Sequence, residues 1–247
     1  MARTARRERW GSDANSLFNV LNSIVPHLTL PSPPPGAEWE FRFAADPMAN
    51  ANDYLDVTVT QLEIRRPAVH APVRPPTMAR PLSFLRAQAP TASFYRYLYE
   101  TVGEPWLWFE RRLLSNDTLA ETLRNEKIAV YVLYYGGVPA GFSEVDARPE
   151  GSKPKDATLL AYFGLIPEFI GCGLGRFFLG ATIETAWETF SADRLIVRTC
   201  TLDHPAALPL YQKCGFAPTG QQSTRIPDPR KAGLLPADAG PDRILTR

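Results

Sequence analysis

Leu165-Ile166-Pro167-Glu168-Phe169-Ile170-Gly171-Cys172-Gly173-Leu174-Gly175-Arg176 joins a strand pattern to a long helical one. Thr158 to Ile166 is apolar and short, as a buried strand is. From Gly171 to Phe190 the chain reads as a helix, with Leu179, Ile183, Ala186, Trp187 and Phe190 at helical spacing. Leu174, Phe177, Phe178 and Ala181 define a neighbouring face, a width that implies burial against a sheet. The glycines between the two elements lack Cβ, so a ligand can approach the backbone closely. The first N–H groups of a helix have no partner inside it, and with the helix dipole they form a site for phosphate. The turn therefore predicts a pyrophosphate ligand. A dinucleotide fingerprint needs glycine where Arg176 stands, and a P-loop needs a Gly-Lys-Ser/Thr run that is absent. A glycine-rich helix entry that binds nothing remains open on this turn alone.

Outward from the turn, the pattern is mixed. Tyr54 to Ile64 alternates as a first strand, and Pro67, Pro72, Pro75, Pro76 and Pro81 mark residues 67–81 as an extended loop. Ser93 to Val102 and Asn116 to Glu126 read as helices, the second with Ser115 as N-cap. Ile128 to Tyr135 and Val138 to Val145 flank Gly136-Gly137 and read as a β-hairpin. Beyond the long helix come a strand over Arg194 to Thr199, a helix over Pro205 to Cys214 and a strand from Phe216. The order predicts a mixed α/β sheet. Residues 1–50, with Leu30-Pro-Ser-Pro-Pro-Pro-Gly36, read as a partly disordered N-terminal extension carrying one short helix over Leu17 to Val25. Residues 51–225 read as the domain, and 226–247 as an irregular tail.

Composition narrows the function. The chain has 247 residues, 45% of them apolar, and a formal net charge of +1 from 27 basic and 26 acidic residues. That balance points to neither nucleic acid nor an anionic membrane as partner. The three cysteines, Cys172, Cys200 and Cys214, form no C-x-x-C pair, which argues against a disulfide framework or structural zinc. The histidines His27, His70 and His204 are far apart in sequence, and no metal is implied. No apolar run is long enough to span a membrane. The Arg-rich start contains Glu8 and, shortly after, Asp13, which favours a solvated tail over a transit peptide. The expected location is cytoplasmic.

A second motif follows the first: Asp203-His204-Pro205-Ala206-Ala207-Leu208-Pro209-Leu210-Tyr211-Gln212-Lys213-Cys214-Gly215-Phe216. With the glycine turn it resembles the GNAT (GCN5-related N-acetyltransferase) superfamily. The likeness covers residues 128–220 by motif and 54–127 by element order. It implies a mixed, mostly antiparallel central sheet flanked by helices, the acyl-CoA N-acyltransferase fold. It also implies acetyl-CoA as cosubstrate. The backbone of Gly171, Cys172, Gly173, Leu174, Gly175 and Arg176 would hold the pyrophosphate, with a charge-assisted contact from Arg176. The backbone of Leu165 and Ile166 would contact the pantetheine arm and offer an oxyanion donor. Tyr211 would protonate the departing thiolate.

Two positions depart from the family pattern. Ile170 stands where Arg or Gln is usual, and His204 where Asn is common. His204 would contact the cofactor or cap the helix, and Asp203 is an equally good cap. The strand over Thr158 to Phe163 carries no carboxylate to serve as base, so Glu144 on the preceding strand is the candidate. Glu104 and Trp106, among the tyrosines and tryptophans of the N-terminal half, are the candidate contacts for an ammonium group. A nucleophilic Cys172 is disfavoured because no oriented histidine accompanies it. The resemblance implies acetyl transfer to a primary amine of a small molecule. Alternatives are a protein lysine or N-terminal acetyltransferase and a non-catalytic acyl-CoA-binding sensor. Exposed sheet edges in this fold often pair, which leaves a homodimer open.

Overall fold

The computed structural model describes residues 53–67, 72–148 and 157–240. The N-terminal extension, with its Arg-rich start and the helix read over 17–25, lies outside the described residues, as do His70 and the last seven residues. Seven strands form one sheet: β1 (Tyr54–Arg65), β2 (Leu82–Ala87), β3 (Ile128–Tyr135), β4 (Val138–Asp146), β5 (Ala157–Leu165), β6 (Arg194–Cys200) and β7 (Ala217–Pro227). Their spatial order is β2-β3-β4-β5-β6-β1-β7. Every pair is antiparallel except β5 with β6. Four helices accompany them: α1 (Ala92–Gly103), α2 (Asn116–Arg124), α3 (Gly175–Phe190) and α4 (Ala207–Lys213). The fold is thus the mixed, mostly antiparallel α/β architecture expected.

The sheet separates two layers. Strand side chains alternate between faces, so along β3 Val130 and Val132 pack with Tyr95, Leu98 and Tyr99 of α1 and with Leu119 of α2. Ala129 and Tyr131 face the other way, onto Leu179, Ile183 and Trp187 of α3. Burial on both faces explains why β3 reads as an unbroken apolar run. Helix α1 buries Tyr95, Leu98, Tyr99 and Val102, one stripe at helical spacing. Thr91 caps it by accepting from the Phe94 N–H at 3.3 Å. Ser115 caps α2, accepting from the Thr118 N–H at 3.1 Å.

Some boundaries differ from expectation. Helix α3 begins at Gly175, because Gly171 and Gly173 have φ of +83° and +78°, outside any right-handed helix. Helix α2 ends at Arg124 and α4 spans only Ala207–Lys213. Strand β2 lies where no element was expected, on the sheet edge beside β3. The first strand, β1, inserts between β6 and β7, with Tyr54 opposite Pro227 and Arg65 opposite Arg194. Residues 228–240 form turns, yet Leu235 and Ala239 are buried against Val57, Leu107, Phe109 and Ile226.

Candidate active site

Strands β5 and β6 pair only from Ala157 with Arg194 to Leu160 with Val197. Beyond those rungs they diverge, while β5 stays bonded to β4 as far as Leu165 opposite Gly141. The opening holds a cavity of about 460 Å³ lined along β5 by Leu159 to Leu165 and along β6 by Val197 to Cys200. One edge of β5 is left free inside it. Peptide groups alternate in direction along a strand. The Ile166 N–H already donates to the Ala140 carbonyl at 2.9 Å on the β4 side. The Leu165 N–H therefore points to the cavity, and Ile166, which is buried, does not line it.

At one end of the cavity lies the glycine turn. A 3-10 turn over Pro167–Phe169 leads into it, and Gly171, Gly173, Gly175 and Arg176 line the wall. A Cβ on Gly171 or Gly173 would meet nothing within 4 Å, so their small size leaves room for a ligand, and their positive φ favours glycine. Helix α3 has Leu174 at its N-cap position and no side-chain cap, which leaves its first N–H groups for a ligand. Leu174 itself is buried in the core and Cys172 is exposed, so neither side chain lines the cavity. Ile170 does. Arg176 and Lys213 line both this cavity and a second hollow of about 660 Å³, which Arg74 also lines. Among the described residues these three cations make no ion pair.

Tyr211, on α4, faces the cavity from the α3 side of the sheet. Its ring packs edge-on against Phe163 and Phe216, with centroids 6.2 and 5.8 Å away. Burial and the nearby Asp203 carboxylate push its hydroxyl pKa up, so it is a protonated donor at any working pH. His204 Nδ1 accepts from the Ala206 N–H at 2.9 Å, at the entry to α4, and burial lowers its pKa, so the ring is neutral at pH 7. Asp203 turns the other way. Its Oδ2 accepts from the Thr199 hydroxyl and the Cys200 N–H at 2.7 and 2.9 Å. Burial and Asp203 push the Cys200 thiol up to about 12, which makes it inert.

The opposite wall comes from the segment after α1. A 3-10 turn, Glu104–Trp106, ends at Leu107 with φ of 60° and ψ of 34°, a left-handed conformation that reverses the chain. Trp106, Leu107, Trp108, Phe109 and Glu110 then line the cavity. Trp108 folds back onto Gly103, where a Cβ would fall 2.4 Å from the indole. Trp106 packs edge-on against His204, centroids 5.1 Å apart. Glu110 is the carboxylate this wall presents. Its Oε2 accepts from the Tyr99 hydroxyl at 2.9 Å and from the Phe109 N–H at 3.3 Å, and burial raises its pKa.

The two acids singled out in the sequence lie elsewhere. Glu144 is fully buried on the α1 face of β4, ion-paired with Arg111 and bonded by the Tyr95 hydroxyl, and it does not line the cavity. Glu104 is paired with Arg112 at 2.8 Å and also lies outside the lining. Trp106 and His204 do line it. Glu110 was missed because its signal is not periodic: only the reversal at Leu107 turns it inward.

The model of the acetyltransferase (GNAT) family matches residues 92–216, just over half of the chain, and the chain belongs to that family. Similar solved structures include a functionally unknown conserved protein from Staphylococcus epidermidis, 12% identical with a TM-score of 0.49. That match covers 71% of this chain and 63% of the other. A GCN5-related N-acetyltransferase from Kribbella flavida is 15% identical at a TM-score of 0.48, over 72% of this chain and 60% of the other. An aminoglycoside acetyltransferase from an uncultured soil metagenomic sample is 15% identical at a TM-score of 0.44, over 54% and 87%. The chain thus spans less than two thirds of the length of the first two. No curated protein matches the sequence. No helix among the described residues is long and apolar enough to cross a membrane.

Proposed function

We propose that this GNAT family member is an N-acetyltransferase that moves an acetyl group from acetyl-CoA to the primary amine of a small molecule, by direct attack on the thioester. The observation that carries this reading is the wedge between β5 and β6, with a free strand edge along it and the uncapped N-terminus of α3 at its end. The residues present fit a CoA thioester. The backbone of Gly171 to Arg176 offers N–H groups to the pyrophosphate, and Arg176, Lys213 and Arg74 supply positive charge toward the nucleotide end. The free edge of β5 suits an extended amide-bearing arm.

When bound, the thioester supplies an activated carbonyl and a thiolate leaving group. The Leu165 N–H is directed to stabilise negative charge on the carbonyl oxygen. Glu110 takes over the role of base that the sequence offered to Glu144, because of the two carboxylates lining the cavity Asp203 has both oxygens bonded by neighbouring residues, and burial makes Glu110 a stronger base. An ammonium loses one proton to Glu110, the amine lone pair forms the C–N bond, and the C–S bond breaks. The nitrogen sheds a second proton, and Tyr211 gives one to the sulfur. One proton is released overall, and Tyr211 regains its own from solvent. Trp106 and His204 border the acceptor end.

Acetyl-CoA consumption, read as free thiol release against small amines and lysine peptides, tests the reading. Release with a small amine supports it. Release confined to peptides would favour a protein acetyltransferase. Tight CoA binding without turnover would favour a sensor.

A further inference from the structure

The acceptor end of the cavity is chemically lopsided. Its far wall is the apolar cluster of Val57, Leu107, Phe109 and Ile226, drawn from β1, β7 and the segment after α1, with Leu235 behind it. Two carboxylates reach this end, and both have raised pKa values because they are buried. Asp203 is committed. Its Oδ2 takes the Thr199 hydroxyl and the Cys200 N–H, and its Oδ1 takes the Trp108 indole N–H at 3.5 Å. Glu110 takes its bonds from other residues on one oxygen: the Tyr99 hydroxyl and the Phe109 N–H both fall on Oε2, and its own backbone N–H adds a further bond to the carboxyl. Glu110 Oε1 takes no bond from any other described residue and has acceptor capacity to meet a cation. The whole cavity of about 460 Å³ also has to take the thioester arm, which limits the acceptor to a small molecule.

We propose that the acceptor is a primary monoamine with an apolar, ring-sized body, of the arylalkylamine class. The inference rests on the acetyl-transfer reading. The ammonium lies at Glu110 Oε1, and the ring packs on Trp106, Phe109 and the Val57–Ile226 wall. A second ammonium on the same molecule would lie against apolar side chains with no partner, a heavy penalty for a buried charge. Polyamines and aminoglycosides are therefore excluded by the wall rather than by size alone. A lysine peptide brings polar backbone groups to the same wall, with the same difficulty.

The test is thiol release from acetyl-CoA by the full chain, with phenethylamine, spermidine, an aminoglycoside and a lysine peptide compared by kcat/KM. The expected preference for phenethylamine is about 100-fold over each of the others. Leu202→Asp adds a carboxylate, not bonded as Asp203 is, to the cavity lining at a half-buried position and should shift the preference toward spermidine by about tenfold, with the fold checked by thermal melting. Release confined to spermidine, the aminoglycoside or the peptide would overturn this inference and leave acetyl transfer standing. No release with any of them, with acetyl-CoA binding intact, would overturn both.

Discussion

The Tyr99 hydroxyl donates to Glu110 Oε2 at 2.9 Å, and that bond ties the cavity carboxylate to a polar chain buried beneath α1. The same hydroxyl accepts from the Arg111 N–H at 3.3 Å, and the Arg111 guanidinium is ion-paired with Glu144. The base proposed for the reaction is thus held by a pair that never reaches the substrate.

Glu110→Gln should separate activity from stability. General-base catalysis contributes about 10²–10⁴-fold, so kcat should fall by that order. The fold should not suffer. A carboxyl whose folded pKa is raised contributes stability below its unfolded pKa and loses it as pH rises through the folded value. As pH rises through the raised folded pKa, the buried carboxylate becomes a growing cost, and glutamine removes it. Thermal melting should give an unchanged or higher Tm at pH 7. In the wild type the acid limb of kcat/KM should lie above the usual carboxylate range and disappear in the variant.

Arg111→Met should do the opposite. It leaves the Glu144 charge buried without its partner, a loss of about 3–5 kcal/mol. Urea denaturation should record it. Adding Glu144→Gln should recover much of the stability, because the unpaired charge goes with it. A merely surface role for the pair would leave both midpoints where they were.

Gly173→Ala should weaken acetyl-CoA binding at little cost to the chemical step. A φ of +78° costs an alanine about 1–2 kcal/mol, which the turn escapes by reshaping. KM for acetyl-CoA should rise with kcat nearly intact. An unchanged KM would remove the glycine turn from the cofactor site.

Arg176→Ala deletes one of the two cations, Arg176 and Lys213, shared between the two hollows. A charge-assisted contact of ordinary strength predicts about a tenfold rise in KM for acetyl-CoA. Raising the salt concentration should erode the difference between wild type and variant.

Much of the fold was legible because it is written in local signals. Gly136-Gly137 between two apolar runs specifies the β3–β4 hairpin, and Ser115 marks the start of α2. The insertion of β1 between β6 and β7 was not legible, since pairing Tyr54 with Pro227 leaves no local trace. Strand β2 was hidden by the prolines before it and by its edge position, where half its side chains face solvent. At the site, the glycine turn stood out because a phosphate-binding backbone favours glycine there, and Tyr211 stood out through the resemblance of its motif. Glu110 did not, because its place depends on one left-handed residue, Leu107, and on a hydrogen bond to Tyr99. Glu144 drew attention as a strand carboxylate, and its partner Arg111 could not be paired with it from sequence alone.

The most direct test of acetyl transfer in the β5–β6 wedge is the rate of thiol release with saturating amine, wild type against Tyr211→Phe. The account predicts that kcat falls about 10²-fold or more while KM for acetyl-CoA holds, since the phenol acts on the departing sulfur and not on binding. A Tyr211→Phe protein that turns over within about twofold of wild type would contradict the assignment of the acid and the geometry of transfer built on it.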